Sequence, residues 1–105
     1  MRRSVYLSPK AVEKLQGVFK YLEDHWPKKV KTDFIKKLDK TKEIISKYPE
    51  SFPESKAFPG LYKCNVTRHN TLFYRIKKND IEIVTIFDLR QHPKKLKKEL
   101  RKKIR

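Results

Sequence analysis

Two arginines occupy positions where a predicted β-sheet would display them. Arg75 lies within the segment TLFYRIK, and Arg90 follows the segment IEIVTIFD. A guanidinium group is permanently charged and planar, and its geometry matches a phosphate group. His92 follows Arg90 closely, and histidine is the side chain best suited to proton transfer near neutral pH. We therefore take these three residues as the candidate catalytic residues, acting on a phosphate.

A short turn determines what surrounds Arg75. Residues 79–80 read Asn-Asp, which is a plausible two-residue hairpin turn. That turn predicts Lys77 opposite Glu82, a favourable pair of opposite charges across the two strands. The same register places Arg75 opposite Val84.

An arginine in this setting has more than one explanation. The predicted register places Arg75 on the same sheet face as Phe73 and Ile86, where an unpaired charge is costly. The side chain could bind a phosphate, extend along the apolar surface to reach water, or pair with the carboxylate of Glu82. The residues alone leave these alternatives open.

The overall charge favours a polyanionic partner. The 105 residues include 28 Lys and Arg against 12 Asp and Glu, a formal charge of +16. This excess is far more than solubility requires, and it favours nucleic acid, an anionic membrane or an acidic protein as partner. Four residues could extend a basic, nucleic-acid-binding patch along one edge of the sheet: Lys63, Arg68, Lys94 and Lys95.

Several function classes find no support in the sequence. The single cysteine, Cys64, can form neither an internal disulfide nor a Cys-rich zinc site, and it suggests a reducing cytoplasm. No His lies at metal-ligand spacing from another ligand, so we expect no metal, and no glycine-rich motif indicates another cofactor. No apolar run is long enough for a signal peptide or a membrane span.

The first half of the chain has a helical pattern. Residues 3–7 predict a short strand, and Ser8-Pro9 predicts a helix start. Trp26-Pro27 should interrupt the helical pattern and separate two helices, which end near residues 24 and 48. The apolar positions recur at helical spacing: Val12, Leu15, Phe19 and Leu22 in the first helix, and Val30, Phe34, Leu38, Thr41, Ile45 and Tyr48 in the second.

The second half changes to a strand pattern. Residues 49–60 contain three prolines and a glycine and predict a loop. Three strands follow at 61–67, 71–77 and 81–88. A basic amphipathic segment, 93–105, ends the chain.

This order of elements predicts the fold. One domain spanning 1–105 should belong to the α/β class, of the α+β type, with the order β-α-α-β-β-β and a basic C-terminal segment. An antiparallel sheet with an N-terminal helical hairpin packed on one face satisfies this order.

The chain resembles the RelE/ParE family of bacterial type II toxin–antitoxin toxins. The resemblance covers nearly all of the chain and lies in LSPKAVEKLQGVFKYLEDHW, FIKKLDKTKEIISKYPESFPES and LYKCNVTRHNTLFYRIKKNDIEIVTIFDLRQHPKKL. Most telling are the YRI of the middle strand, the I-x-I-x-x-I-F-D of the last strand, and the R-Q-x-P after it. The resemblance implies a growth-inhibiting toxin that forms a hetero-oligomer with a cognate antitoxin.

The resemblance also implies one of two targets. RelE-like members cleave mRNA in the ribosomal A site, whereas ParE-like members inhibit DNA gyrase and are not nucleases. Arg90 matches the basic position that ends the last strand, and Arg75 matches an arginine or polar position of the middle strand. Thr71 lies where ribonuclease members carry their other arginine, and His92 would replace a C-terminal tyrosine.

Three functions follow as hypotheses. Ribosome-dependent mRNA cleavage is placed slightly ahead of gyrase inhibition. The third alternative is a non-toxic basic module that binds nucleic acid or the ribosome.

Overall fold

The computed structural model of the chain describes residues 3–89. The predicted segment 93–105 and its apolar positions Leu96, Leu100 and Ile104 lie outside this range. The elements occur in the predicted order: β1 (Ser4–Leu7), α1 (Pro9–His25), α2 (Lys28–Lys47), β2 (Tyr62–Thr67), β3 (Asn70–Ile76) and β4 (Asp80–Asp88).

The first helix begins and ends where the sequence predicts. Ser8 is the N-cap of α1, and its hydroxyl accepts a hydrogen bond from the Ala11 N–H at 3.0 Å. The helix ends at His25, because Trp26 adopts an extended conformation before Pro27. Its buried face is rotated from the predicted one: Ala11 and Val18 are buried, whereas Val12 is 42% exposed.

The second helix buries the stripe that its spacing predicts. Phe34, Leu38, Thr41 and Ile45 are all buried. The predicted stripe ends earlier than expected, because Tyr48 is 64% exposed at the C-cap. The hairpin of α1 and α2 packs on one face of the sheet, as predicted.

The sheet has four strands in the order β1-β4-β3-β2. The strands β2, β3 and β4 form the predicted antiparallel meander. The strand β1 pairs in parallel with β4, so the sheet as a whole is mixed and not wholly antiparallel. The chain between these two strands contains the helical hairpin, β2 and β3, so it is long enough for the crossover that a parallel pair requires.

The turn between β3 and β4 lies one residue earlier than predicted. The Lys77 N–H donates to the Asp80 carbonyl at 2.8 Å, so residues 78–79 form the turn. Arg75 therefore lies opposite Glu82, and the predicted pairing of Arg75 with Val84 is wrong. The predicted position of Lys77 opposite Glu82 is also wrong, because Lys77 lies opposite Asp80. Its Nζ atom nevertheless lies 3.7 Å from the Glu82 carboxylate, so the predicted ion pair forms diagonally.

A bulge in β4 changes which residues face the helices. Tyr74 pairs with Ile83, whereas the adjacent Phe73 pairs with Thr85, so Val84 has no partner residue on β3. Ser8 binds β4 at this bulge. Its backbone N–H donates to the Ile83 carbonyl, and its hydroxyl donates to the Val84 carbonyl. The bulge ties the start of α1 to the middle of the sheet.

The main core lies between the sheet and the helical hairpin. The bulge lets β4 contribute Ile81, Ile83 and Ile86 to this core, although the last two are three residues apart. The predicted placement of Ile86 on the same face as Arg75 is therefore wrong. The strands β2 and β3 contribute Cys64, Val66, Leu72 and Tyr74 to this core. In the register of these two strands, Cys64 pairs with Leu72.

Candidate functional site

The face of the sheet turned away from the main core displays the candidate polar residues. We call it the outer face. Because successive side chains of a strand point to opposite faces, the residues that alternate with the core positions lie here. They include Tyr6 of β1, Lys63 and Asn65 of β2, Thr71, Phe73 and Arg75 of β3, and Glu82, Thr85 and Phe87 of β4.

Arg75 is held by a carboxylate on the neighbouring strand. Its Nε atom donates to the Glu82 Oε1 atom at 2.6 Å, and Lys77 Nζ lies 3.7 Å from the same oxygen. The Glu82 side chain is only 12% exposed, whereas that of Arg75 is 51% exposed. The sequence left open whether Arg75 binds a phosphate, extends to water or pairs with Glu82. In the structure, Arg75 pairs with Glu82.

Tyr6 completes this polar group. The Lys77 Nζ atom lies 5.6 Å from the centroid of the Tyr6 ring. A hydrogen bond with the Tyr6 side chain, together with the charge of Glu82, raises the pKa of Lys77 above its ordinary value. Lys77 is therefore a permanent cation at neutral pH. The sequence did not reveal the contribution of Tyr6, because it depends on the parallel pairing of β1 with β4.

The other part of the outer face is aromatic and covered. The ring centroids of Phe73 and Phe87 lie 6.0 Å apart, and the Phe58 ring lies 4.8 Å from that of Phe73. Leu61 packs on the same cluster, and Lys14 Nζ lies 5.0 Å from the centroid of Phe87. Phe73 and Tyr74 are both buried. These rings are not available as platforms for stacked bases.

A buried polar network fixes the end of β4. The Asn70 side-chain amide donates to the Asp88 carboxylate at 2.6 Å, and the Thr67 hydroxyl donates to the Asn70 side-chain oxygen at 2.6 Å. The Leu89 N–H donates to the His69 carbonyl at 2.8 Å. The network therefore fixes the position from which the chain continues to Arg90.

The predicted site residues are not all brought together. Arg90, His92, Lys94 and Lys95 lie outside the described residues. Lys63 is exposed on the outer face, next to the strand that carries Arg75. Arg68 belongs instead to the β2–β3 turn.

Arg68 faces a groove formed with α2. The groove has a volume of about 260 Å³ and is lined from α2 by Val30, Asp33, Phe34 and Lys37. The turn contributes Thr67, Arg68, His69 and Asn70. Arg68 therefore lies at the end of the edge strand β2, and its part in a basic patch with Lys63 stays a prediction.

Within residues 3–89, no group of three or more His, Cys, Asp or Glu could hold a metal ion. Cys64 is buried in the main core, and burial raises the pKa of its thiol to about 11. The thiol is thus protonated at neutral pH. Among the helices of the same residues, none is long and apolar enough to cross a membrane.

The fold described above is that of a known class of proteins. A four-stranded mixed sheet with a helical hairpin packed on one face is the α+β architecture of RelE/ParE-like toxins. The model of the family described as "ParE toxin of type II toxin-antitoxin system, parDE" matches residues 5–93. The chain belongs to this family and is the toxin of a type II toxin–antitoxin system, so the alternative of a non-toxic basic module falls away.

Solved structures show the same fold. The chain is similar to a protein of the chromosomal ParDE toxin–antitoxin system from P. aeruginosa, with a TM-score of 0.70, 13% identity, and coverage of 83% of this chain and 96% of that one. The YoeB dimer from Staphylococcus aureus gives a TM-score of 0.59 at 20% identity, with coverage of 83% and 97%. The E. coli DinJ-YafQ complex gives 0.58 at 10% identity, with coverage of 86% and 96%. No curated protein matches the chain.

Proposed function

We propose that this toxin arrests growth by inhibiting DNA gyrase and that it does not cleave RNA. The observation that carries the proposal is the pair formed by Arg75 and Glu82 at 2.6 Å. The pair neutralises the one candidate catalytic arginine among the described residues. This reverses the order in which the sequence placed the two mechanisms.

Cleavage of RNA would require a different outer face. An enzyme that cuts next to a phosphate stabilises the developing charge with fixed, uncommitted cations. At the position where ribonuclease members carry an arginine, the Thr71 hydroxyl donates to the Asn65 side-chain oxygen at 2.9 Å. This neutral pair cannot stabilise a developing negative charge as a guanidinium does. A surface that binds a protein target needs no such group.

We further propose a cytoplasmic antitoxin as the partner that silences the toxin. The structural neighbours include the DinJ-YafQ and YoeB-YefM complexes. The formal charge of +16 favours an acidic partner segment, since complementary charge speeds association and excludes wrong partners. An apolar segment of that partner could cover the exposed Tyr48 and Ile44 at the end of α2.

Ribosome-dependent mRNA cleavage is the second candidate. It relies on Arg90 and His92, and the favouring observation is the bond from the Leu89 N–H to the His69 carbonyl. This bond and the Asn70–Asp88 contact hold the chain rigidly just before Arg90. Electrostatic catalysis requires cations that are fixed relative to the reacting phosphate, and a fixed end of β4 is compatible with that requirement.

Two assays on the purified protein separate the candidates. In the first, gyrase acts on relaxed plasmid while the protein is titrated. In the second, the protein is added to a reconstituted translation system and mRNA ends are mapped by primer extension. We expect dose-dependent loss of supercoiling and no new mRNA ends. New ends that require ribosomes, with normal supercoiling, would overturn the proposal in favour of the second candidate.

The supercoiling assay needs a control for charge, because a polycation can sequester DNA without binding gyrase. Leu22→Asp serves this purpose: Leu22 is fully buried in the main core, so the variant should unfold with nearly the same charge. We expect it to leave supercoiling intact. Equal inhibition by both proteins would mean that charge alone acts, and would count against a specific gyrase complex.

A further inference from the structure

The positive charge of the helical hairpin is concentrated on one helix. The helix α1 contains three lysines and three acidic residues, so its net formal charge is zero. The helix α2 contains eight lysines against three acidic residues, a net formal charge of +5. An inert lysine-rich surface gives no reason for such a contrast between two neighbouring helices. The contrast indicates that α2 presents charge to a partner.

The acidic residues of the hairpin neutralise only some of these lysines. Lys31 pairs with Glu23, Lys42 with Asp39 at 3.8 Å, and Lys47 with Glu43 at 3.4 Å. The remaining acidic residue of α2, Asp33, lies in the groove beside Arg68.

Three unneutralised lysines form a stripe on α2. Lys29, Lys36 and Lys40 are exposed, and none has an ion pair with any of residues 3–89. At about 100° per residue, their positions fall within about 40° of one another on the helix, roughly opposite the buried Leu38. We call these three residues the lysine stripe. It faces away from the sheet, so it is separate from the outer face.

We propose that the lysine stripe binds the phosphate backbone of duplex DNA without reading its sequence. The helix rises about 16 Å over the 11 residue steps from Lys29 to Lys40. Over that length a DNA duplex carries roughly ten phosphate charges. Lysine ammonium groups are flexible point charges suited to phosphates, and contacts to phosphates carry no sequence information.

The composition of the stripe favours a duplex over a single strand. Proteins that bind single strands combine cations with aromatic side chains on which bases stack. The single aromatic residue of α2, Phe34, is buried, so α2 offers no ring beside the stripe on which a base could stack. A toxin that engages gyrase through another surface could therefore hold the DNA on which gyrase acts.

The test is a binding measurement on the full chain. A labelled 20-base-pair DNA duplex is titrated with protein by fluorescence anisotropy at several salt concentrations. The variant K29Q/K36Q/K40Q is compared with K10Q/K56Q/K78Q, which removes the same charge from exposed lysines outside α2. Gln and Lys have similar helix propensities, so both variants should fold.

We expect the stripe variant to bind at least tenfold more weakly, and the control variant to stay within threefold of wild type. The slope of log K against log salt should become shallower by up to about 2.7 in the stripe variant, since each lost phosphate contact contributes about 0.9. Equal losses in both variants would overturn the proposal. Tighter binding of a duplex RNA of the same sequence would overturn the assignment to DNA.

The outcome is separable from the proposed gyrase inhibition. The same two variants are assayed for inhibition of supercoiling. Failure of the wild-type chain to inhibit gyrase would sink the proposed function and leave the DNA-binding result standing. Conversely, unchanged DNA binding in the stripe variant would sink only the present proposal.

Discussion

The Nε atom of Arg75 lies 2.6 Å from the Oε1 atom of Glu82 on the adjacent strand. The two residues face each other only because the β3–β4 turn is formed by residues 78–79. A guanidinium held in this way can still lie at a protein interface. It is poorly placed to act as an unpaired ligand for a phosphate.

Replacing Arg75 by Ala should therefore preserve growth inhibition to within about threefold. The free energy of unfolding should change by about 1 kcal/mol, because Arg75 is half-exposed and Lys77 still pairs with the largely buried Glu82 carboxylate. The measurement is colony formation after induced expression, with protein levels matched by immunoblot. Lys78→Ala, in the exposed turn, is the matched control. If Arg75 stabilised charge on a phosphate instead, inhibition would fall by about 100-fold or more.

The Asn70–Asp88 contact should make a large contribution to stability. Asn70 is fully buried and Asp88 is 5% exposed, so Asn70→Ala removes a donor from a buried carboxylate. We expect a loss of about 2–3 kcal/mol in the free energy of unfolding, measured by urea denaturation. Asn65→Ala removes an exposed hydrogen bond to Thr71 and should cost less than about 0.5 kcal/mol. Similar losses in the two variants would contradict a structural role specific to Asn70.

Ser8 connects the start of α1 to the bulge of β4. Its hydroxyl accepts from the Ala11 N–H and donates to the Val84 carbonyl at 2.8 Å. Ser8→Ala should lower the free energy of unfolding by about 1–2 kcal/mol, because the cap and the link are both lost. Ser51→Ala, which removes an exposed hydroxyl donating to the Tyr48 carbonyl, provides the comparison. Hydrogen exchange at the first turn of α1 should also become faster, and unchanged exchange would rule out the capping role.

The free energy of unfolding should fall at alkaline pH because of the buried Cys64 thiol. Burial raises its pKa from the ordinary 9.0 to about 11, so the unfolded chain loses this proton first as the pH rises. The contribution of the Cys64 thiol to the free energy of unfolding is constant below pH 9. Between pH 9 and 11 it declines, by about 1.4 kcal/mol per pH unit at most. Comparing urea unfolding at pH 8 and pH 10, wild type should lose about 1 kcal/mol more than Cys64→Ala.

The comparison should stop at pH 10. Burial also raises the pKa of Tyr74, which adds a second decline at higher pH. The Cys64→Ala variant starts from a lower stability because it leaves a cavity, so the change with pH and not the absolute value is the readout. Parallel declines in both proteins would show that the thiol is not responsible.

Local patterns were sufficient for the order of the elements. Ser8-Pro9 marked the start of α1, and Trp26-Pro27 separated the helices, because capping and proline act within a few residues. The strands were located by their alternating apolar residues. Val12 was misplaced by the same reasoning, since a helical spacing fits several neighbouring faces and only packing selects one.

The candidate site could be predicted only in part. The sequence identified Arg75 and named Glu82 as a possible partner, and it located Lys63 on a strand. The sequence alone did not show whether Arg75 binds a phosphate or pairs with Glu82. A shift of the turn by one residue decides whether Val84 or Glu82 lies opposite Arg75. Lys29, Lys36 and Lys40 recur at helical spacing on a helix with surplus positive charge, but spacing alone does not distinguish a binding stripe from a solvated helix face.

The amino-acid sequence by itself determined the helices, the strands, their order, the net charge and the resemblance to a toxin family. The tertiary structure decided the parallel pairing of β1, the bulge at Val84 and the pairing of Arg75 with Glu82. The physical reason is the range of the interactions. Capping, proline and periodicity act between near neighbours in the chain, whereas strand register depends on contacts such as those between Ser8 and Val84, which are 76 residues apart.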